Sequence, residues 1–451
     1  MKDENTLYWI WLSERCGIAS KAFGRLAIRY DDPFELYRME EEELEQLEGI
    51  GSALKSRLAD KSLESAYASL RYCKENGVQI LSYADGRYPA RLRTIEDPPV
   101  LLYVLGRLPD LNRRLCVGMV GTRSMSEYGR QSAYKISYEL AAAGAVIVSG
   151  MALGVDGVAA CGALSGGGET VAVLGCGISV VYPKEHAHLM KEIAKSGAVL
   201  TEYPPNERPS GYHFPIRNRI ISGLCQGVLV VEGAVGSGAL ITAKTAVHQG
   251  RELFALPGKI NESNSEGPNE LIRNGARVAL SADDILRHYD FLYHDTLNYT
   301  ALRKAKNNPK PEREALERYG VSARTMNFSS AATPVSEPSA NRERKPKSEP
   351  KPKKISAPAQ RSQDAPKADP TPAPASTLAS GHMSEERIQQ LLRAFDDQTR
   401  HVFEAMPSDR AITPDEVMVD GLGIGDTITA LTLLELGGLV SSLPGGLYLK
   451  Q

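Results

Sequence analysis

The chain has 451 residues, of which 42% are hydrophobic, so it can form about two to four domains with substantial cores. Its 53 basic and 55 acidic residues give a net charge of −2, which argues against a protein that binds polyanions over its whole surface and limits any nucleic-acid site to a local patch. The six scattered cysteines lack a CxxC pair, so we expect no disulfide framework and a cytoplasmic location. No uncharged apolar run approaches membrane-spanning length, so we expect no membrane insertion.

Residues 1–76 are predicted to form a helical domain. Apolar residues recur every three or four positions at Leu44, Leu47, Ile50, Leu54 and Leu58, and the helical pattern is broken by Gly49-Ile-Gly51. An apolar residue between two glycines at such a turn is the helix-hairpin-helix pattern, in which free backbone N–H groups can hold a phosphate. Two glycines between helices also make a simple tight turn, and this structural interpretation is preferred.

Residues 77–290 alternate short apolar runs with helical stretches. The runs are nearly continuous, as expected for strands that are buried on both faces of a parallel sheet, and the helical stretches supply the crossover connections. The pattern predicts an α/β fold with an extended, Rossmann-like, doubly wound and mostly parallel sheet. The predicted strands are residues 101–104, 116–120, 145–148, 170–174, 198–200, 228–231, 253–256 and 278–280.

The rest of the chain is predicted to be a linker followed by a small domain. Residues 291–384 are rich in proline, lysine and alanine and cannot bury enough apolar surface to fold, so a disordered linker is expected. Residues 385–451 combine helices, a capping box at Thr413-Pro-Asp-Glu416 and a final hairpin, which predicts a winged-helix-like domain. Its helix at residues 427–436 has no lysine or arginine, so a protein-contact or dimerising role is preferred to DNA reading.

Three junctions between a predicted strand and a helix carry residues suited to phosphate binding. Ligands of a doubly wound sheet bind where strands end and helices begin. Glycines there permit tight turns and close approach of a ligand to the backbone, and an arginine can donate two hydrogen bonds to one phosphate. The candidates are Gly121, Thr122 and Arg123 in the first junction, Gly150 and Gly154 in the second, and Ser237 and Gly238, as an anion-binding nest, in the third.

The third junction also approaches a phosphate-loop ATPase motif. Residues 238–245 match that motif except at Ala243, where the loop needs a glycine in order to curl around the phosphates. The segment also has helical periodicity, which would place Lys244 inside a helix rather than at the mouth of the loop. The nest at the helix N-terminus is therefore preferred to an ATPase site.

Residues 211–221 concentrate aromatic and cationic side chains immediately before a predicted buried strand. Arginine can neutralise a phosphate and stack on a base, and an aromatic ring can stack on any unpaired base. The alternative is a structural loop whose arginines pair with carboxylates and whose rings cover the core. The candidate binding residues are His213, Phe214, Arg217, Asn218 and Arg219.

No arrangement of residues in the sequence indicates catalysis. His213 lacks a sequence-evident nucleophile partner, and His186 and His188 lie two apart, which is the wrong spacing for a metal pair on a helix. We therefore expect no catalytic residues, no metal and no cofactor. Asp156 is interpreted as a helix N-cap in preference to an acid.

With these motifs assembled, the chain resembles the bacterial DNA-processing protein A (DprA/Smf) family from about Leu81 to Asp284. The resemblance rests on an ordered series of motifs. They are Gly121-Thr-Arg123, Ser149-Gly-Met-Ala-Leu-Gly-Val-Asp156, Val173-Leu-Gly-Cys-Gly177 with Tyr182-Pro183, His213-Phe-Pro-Ile-Arg-Asn-Arg-Ile-Ile221, Gly236-Ser-Gly-Ala-Leu-Ile-Thr-Ala-Lys244, Ala255-Leu-Pro-Gly258 and Asn269-Glu-Leu-Ile272.

The resemblance implies a homodimer that binds and protects single-stranded DNA and loads the recombinase RecA onto incoming strands during natural transformation or recombination. By motif position, Arg123 is similar to the arginine of the family's strand-binding pocket, and Phe214, Arg217, Asn218 and Arg219 fall in the segment expected to line it. Lys244 is carried over on weaker grounds.

Other functions remain possible from the sequence. One is a nucleotide-processing enzyme similar to the Rossmann-like phosphoribohydrolases, which carry a glutamate just after a glycine-rich loop. Here Gly236-Ser-Gly238 is followed by Ala-Leu-Ile-Thr, without a carboxylate. The others are the phosphate-loop ATPase and a scaffold that binds protein partners without affinity for oligonucleotides.

Overall fold

The computed structural model of the protein describes residues 2–322 and parts of the segment from 388 to 450. The chain divides into two compact units, Met1–Phe328 and Ser329–Gln451. Residues 323–384 of the predicted linker and residues 385–387 of the predicted winged-helix-like domain lie outside the described residues. No helix among the described residues is long and apolar enough to cross a bilayer.

Six helices precede the sheet. The turn at Gly49-Ile-Gly51 connects α4 and α5, and Gly49 has a φ of 82°. Lys55 Nζ donates to the Glu45 carbonyl, and Arg25 donates to the Gly49 carbonyl at 2.8 Å. These cations hold the turn itself, which agrees with the structural interpretation. The helices are α1 (Lys2–Cys16), α2 (Lys21–Ala27), α3 (Pro33–Arg38), α4 (Glu41–Glu45), α5 (Ser52–Ala59) and α6 (Glu64–Glu75).

These helices share a core with the sheet that follows. One continuous hydrophobic cluster contains Trp11 and Leu58 from the helices together with Tyr103 and Val117 from the strands. The predicted boundary at residue 76 therefore does not separate two compact units in the structure.

A nine-stranded sheet confirms the predicted α/β architecture. Its spatial order is β1-β2-β6-β5-β4-β3-β7-β8-β9. Each pair of neighbouring strands in the run β6-β5-β4-β3-β7-β8-β9 is parallel. β1 pairs antiparallel with β2, and β2 pairs antiparallel with β6. The strands are β1 (Gln79–Ser82), β2 (Leu101–Gly106), β3 (Cys116–Val120), β4 (Val146–Ser149), β5 (Thr170–Val173), β6 (Ala198–Thr201), β7 (Gly227–Val230), β8 (Glu252–Ala255) and β9 (Arg277–Val278).

The central strands are fully buried because helices cover both faces of the sheet. Every residue of β3, β4, β5 and β7 is buried, which explains why these strands appear in the sequence as continuous apolar runs. The helices are α7 (Ala90–Arg93), α8 (Glu127–Ala142), α9 (Val155–Ser165), α10 (Ala187–Ser196), α11 (His213–Leu224), α12 (Gly238–His248), α13 (Ser263–Arg273), α14 (Ala282–Tyr293), α15 (Tyr299–Asn307) and α16 (Glu312–Tyr319). The cysteines are all buried and unpaired.

The predicted start of the linker at residue 291 is wrong. The chain remains folded to residue 322, because Leu302, Leu316 and Tyr319 are buried in the same core cluster as α8 and α9. Polar contacts add to this packing: Arg130 pairs with Glu312 at 2.6 Å. The short helices α15 and α16 were missed because their apolar positions are few and lie among many charges.

The second unit has its own small core. Its described elements are the helices Asp397–Ala405 and Ile424–Leu436, a 3-10 turn at Pro414–Glu416, and an antiparallel hairpin of Val440–Leu443 and Leu447–Lys450. The capping box between Thr413 and Glu416 is present. Helices and a hairpin thus occur where the sequence predicts them, while the winged-helix assignment stays a prediction.

Candidate nucleic-acid interface

The topology opens a cleft at the carboxyl ends of the central parallel strands. β3 has β4 on one side and β7 on the other, so the loops that follow these strands diverge toward opposite faces of the sheet. The cleft between them has a volume of about 700 Å³. It is lined by residues 120–123 at the end of β3 and just after it, Ala152 and Asp156 after β4, residues from Pro209 to Asn218 at the start of α11, and residues from Ser237 to Thr242 at the start of α12.

Phe214 forms the centre of a stack of rings and cations in this cleft. The guanidinium carbon of Arg123 lies 5.6 Å from the centre of the Phe214 ring, and that of Arg217 lies 5.9 Å from it. The ring of Tyr182 stacks on Phe214 with 5.3 Å between centroids and 29° between planes. Such positions are favourable because the face of an aromatic ring attracts cations.

Arg123 is the exposed cation of the cleft. It follows β3 directly, and its guanidinium makes no ion pair or hydrogen bond to another described residue. Its backbone is held in place because the neighbouring Thr122 donates its N–H to the Glu232 carbonyl at 2.8 Å. An exposed guanidinium on a fixed loop can form a bidentate contact with a phosphate that enters the cleft.

Arg217 has a different role, because its guanidinium is buried beneath Phe214. The side chain is 5% exposed and donates to the carbonyl oxygens of Gly150, at 2.8 Å, and Val173. These carbonyls lie at the carboxyl ends of β4 and β5, so Arg217 fastens helix α11 to two neighbouring strands. Burial lowers the pKa of Arg217, and the nearby carboxylate of Asp156 opposes that shift.

Asp156 fixes the loop between β4 and α9. Its Oδ2 accepts the backbone N–H groups of Gly150 at 2.9 Å and Ala152 at 3.4 Å. Gly154 occupies the N-cap position of α9, so the N-cap interpretation of Asp156 is wrong. Burial raises the pKa of Asp156 to about 6, while the positive charge of Arg217 opposes this rise.

The glycines of this loop leave room for protein atoms rather than for a ligand. A Cβ at Gly150 would lie 2.5 Å from the Arg217 guanidinium. Gly154 has a φ of 82°, and a Cβ there would lie 2.3 Å from the Thr122 carbonyl oxygen. Neither glycine lines the main cleft, although Gly150 borders the small cavity beside it. The expectation that they allow direct approach of a ligand is therefore corrected: they allow the loops and Arg217 to pack.

The N-terminus of α12 faces the cleft with free backbone donors. Ser237 is the N-cap, its side chain does not cap the helix, and Gly238 and Ala239 follow as the first helical residues. In the described structure their N–H groups have no partner, as at any uncapped helix start, and they can donate hydrogen bonds to a phosphate. Lys244 lies at an internal position of α12, where its side chain is exposed to solvent, and it does not line the cleft. Both observations agree with the preference for a nest over the phosphate-loop motif.

Two predicted binding residues are engaged elsewhere. Arg219 is 5% exposed and is paired with Glu202 at 2.6 Å and Asp97 at 3.1 Å, so its guanidinium is unavailable to a ligand in the cleft. His213 is half-buried; its ring packs 4.3 Å from that of Tyr203, and its Nδ1 lies 3.2 Å from the Gly175 carbonyl oxygen. For these two residues the structural alternative predicts the contacts correctly, although the segment forms the helix α11 rather than a loop.

Sequence reasoning missed Tyr182, which is 38% exposed and completes the stack on Phe214. Tyr182-Pro183 belongs to the motif series of the family resemblance, but the sequence does not show that Tyr182 lies against residue 214. The cleft thus brings together Gly121, Thr122, Arg123, Phe214, Arg217, Asn218, Ser237 and Gly238 of the predicted residues.

We predict that Arg219→Ala lowers the free energy of unfolding by about 3–5 kcal/mol, because it leaves the buried Glu202 without its cation. Denaturant titration measures this change. The control Arg303→Ala removes an exposed arginine of α15 and should change stability by less than about 0.5 kcal/mol. A similar effect of the two substitutions would show that the buried pair does not support the fold.

Comparisons with known proteins agree with this architecture. The model of the family described as "DNA recombination-mediator protein A" matches residues 79–290. The DNA processing protein DprA of Bacillus subtilis is 41% identical over 212 residues, which cover 47% of this chain and 71% of the relative. The DNA processing protein DprA of Streptococcus pneumoniae is 42% identical over 229 residues, which cover 51% and 79%.

A solved structure is also similar. The X-ray structure of DNA processing protein A from Streptococcus pneumoniae superposes with a TM-score of 0.54 at 35% identity and covers 62% of this chain and 97% of that one. The fold, the position of the cleft and these relatives lead to one conclusion: the chain belongs to the DNA-processing protein A (DprA/Smf) family.

Proposed function

We propose that this DNA-processing protein binds single-stranded DNA in the cleft, protects the strand and loads RecA recombinase onto it during natural transformation or recombination. It does so as a cytoplasmic protein that leaves the strand chemically unchanged. The stack of Arg123, Phe214 and Tyr182 at the mouths of the parallel strands carries the proposal.

The stack suits an unpaired strand because it combines a half-buried ring, Phe214, with the exposed side chains of Tyr182 and Arg123. Phe214 and Tyr182 present ring surface to the cleft, and stacking on a ring stabilises a bound base by about 1–3 kcal/mol. In a duplex both faces of a base are occupied by its neighbours, so that stabilisation is lost. The rings therefore favour single-stranded over double-stranded DNA.

Phosphate contacts come from two sides of the same cleft. Arg123 supplies an exposed positive charge after β3, and the start of α12 supplies backbone donors and the positive end of the helix dipole. Together they can neutralise the backbone while the bases reach the rings. This local arrangement is compatible with a chain whose net charge is −2.

Binding without catalysis is supported by the residues after Gly238. The first turn of α12 continues with Ala239, Leu240 and Ile241, so it brings no carboxylate to the place where a phosphoribohydrolase would need one. Ala243 is buried in the same helix, and Lys244 is exposed and is not among the residues that line the cleft, which does not favour an ATPase.

RecA loading and the homodimer are proposed from the family resemblance. Several large apolar side chains are exposed on and around the elements that flank β8 and β9, and exposed apolar surface of this kind is typical of protein interfaces. They are Val235, Val247, Ile260, Val278 and Leu280.

We predict that Arg123→Ala weakens binding to single strands of every sequence and lowers the slope of log affinity against log salt by about one phosphate contact. The reason is that Arg123 is an exposed arginine of the cleft that has no ion-pair partner among the described residues. Titrations of labelled oligonucleotides at several salt concentrations measure both quantities. Arg303→Ala is the matched control, and an unchanged affinity and slope for Arg123→Ala would refute the site.

Phe214→Ala is expected to lower single-strand affinity by about 5- to 100-fold, the range that corresponds to the loss of one stacked base. Phe214→Tyr keeps the ring and should retain most of the affinity. Because duplex DNA does not use the ring, its weaker binding should be nearly unaffected by either change. Equal losses for both kinds of DNA would indicate that Phe214 only maintains the fold.

Binding should strengthen as the pH falls through about 6, where Asp156 becomes neutral. The carboxylate repels phosphate at neutral pH, and protonation leaves the charges of Arg123 and Arg217 uncompensated. Asp156→Asn keeps a side-chain oxygen that can accept from the Gly150 N–H but removes the negative charge. At pH near 8 this variant should bind single-stranded DNA about 3- to 10-fold more tightly than the unchanged protein, and at pH near 5 the two proteins should bind equally. A constant difference between the two proteins across this range would contradict the assignment.

A further inference from the structure

A second basic cleft lies at the other end of the sheet. It has a volume of about 630 Å³ and is lined by residues of β1, β2 and the segment 107–113 that connects β2 to β3. Because β2 runs antiparallel to β6, its carboxyl end lies with the amino ends of the parallel strands. The two clefts therefore open at opposite ends of the sheet, and the second takes no part in the stack at Phe214.

Arg107 and Arg113 bring uncompensated charge to this second cleft. Both side chains are exposed, and neither makes an ion pair or hydrogen bond to another residue of the described structure. The other arginine of the lining, Arg87, is already paired with Asp85 at 2.7 Å. The acid of the lining, Asp110, accepts the N–H of Asn112 at 3.2 Å. Apart from the Arg87–Asp85 pair, the lining thus carries two positive charges and one negative charge. The cleft is therefore locally basic in a chain whose net charge is −2.

The backbone holds Arg107 in place. Its N–H donates to the Gly197 carbonyl at 2.8 Å. The preceding Gly106 has a φ of 96°, and a Cβ there would lie 2.4 Å from the Ala194 carbonyl oxygen. This turn is therefore fixed against the end of α10, and the arginine extends from a rigid support at the edge of the sheet.

The floor of the second cleft is apolar and contains no aromatic ring. Leu81, Val104 and Leu111 are each no more than 3% exposed and form its base. Such a floor can lie against sugars while arginines at the rim contact phosphates, but it offers no ring for base stacking. The chemistry indicates recognition of a phosphate backbone rather than of bases.

We propose that this cleft, with Arg107 and Arg113 at its rim, is a second contact site for the phosphodiester backbone of the same nucleic-acid strand. The inference rests on the proposed single-strand binding for the identity of the ligand. It implies that a strand long enough to pass from one end of the sheet to the other gains affinity that a short strand cannot. A nucleic acid is favoured over an acidic peptide because the strand is already held at the Phe214 cleft and reaches the second site as part of one molecule.

The test compares Arg107→Ala/Arg113→Ala with the unchanged full-length protein on oligonucleotides of roughly 6 and roughly 60 nucleotides. On the long strand the double variant should lose about 10-fold in affinity, and its salt slope should fall by about two contacts. On the short strand it should bind as the unchanged protein does. The matched control is Arg287→Ala/Arg303→Ala, which removes two exposed arginines of α14 and α15.

The outcomes separate this inference from the proposed function. If Arg123→Ala weakens both oligonucleotides while the double variant weakens neither, the second site is overturned and the first stands. Equal losses of the double variant on short and long strands also overturn it, because they indicate a general effect of charge. If polyglutamate at equal charge concentration displaces the long strand from the second site, that site is assigned to acidic proteins. If the unchanged protein binds neither strand, both proposals are overturned.

Discussion

The candidate site depends on the buried guanidinium of Arg217. It joins helix α11 to the carboxyl ends of β4 and β5 through the carbonyl oxygens of Gly150 and Val173. Phe214 lies one turn earlier on the same face of the helix, so the bonds of Arg217 also set the position of the ring. A buried cation needs such partners, because leaving it unpaired would cost several kcal/mol. The hydrogen bonds that the buried Arg217 requires thus also fix the position of the half-buried Phe214 ring.

The second constraint is the direction of the strands. Parallel strands bring their carboxyl ends to one edge, where the chain from β3 continues toward one face and that from β7 toward the other. Arg123, the start of α12 and the start of α11 meet there although they are far apart in sequence. Antiparallel pairing of β2 with β6 places a different loop, with Arg107 and Arg113, at the opposite end. The two clefts are therefore consequences of one topology.

The sequence predicted the sheet well, because strands buried on both faces are continuous apolar runs, as at Cys116–Val120. It predicted Arg123 and Phe214 because their residue types suit phosphate and base. It could not separate Arg217 from Arg219, since the two arginines lie two residues apart and differ only in the carboxylates that the fold brings to Arg219 from residues 97 and 202. For the same reason Tyr182 was missed: its partner on α11 is set by tertiary structure.

The central claim is that fixed cations and rings at the end of a parallel sheet bind an unpaired strand without altering it. The most direct measurement is a titration of the unmodified protein with one oligonucleotide, single-stranded and as a duplex, followed by analysis of the recovered DNA. The account predicts at least about 10-fold tighter binding of the single strand, from the stacking of one or two bases, and intact DNA. Equal or tighter binding of the duplex, or a cleaved product, would contradict it.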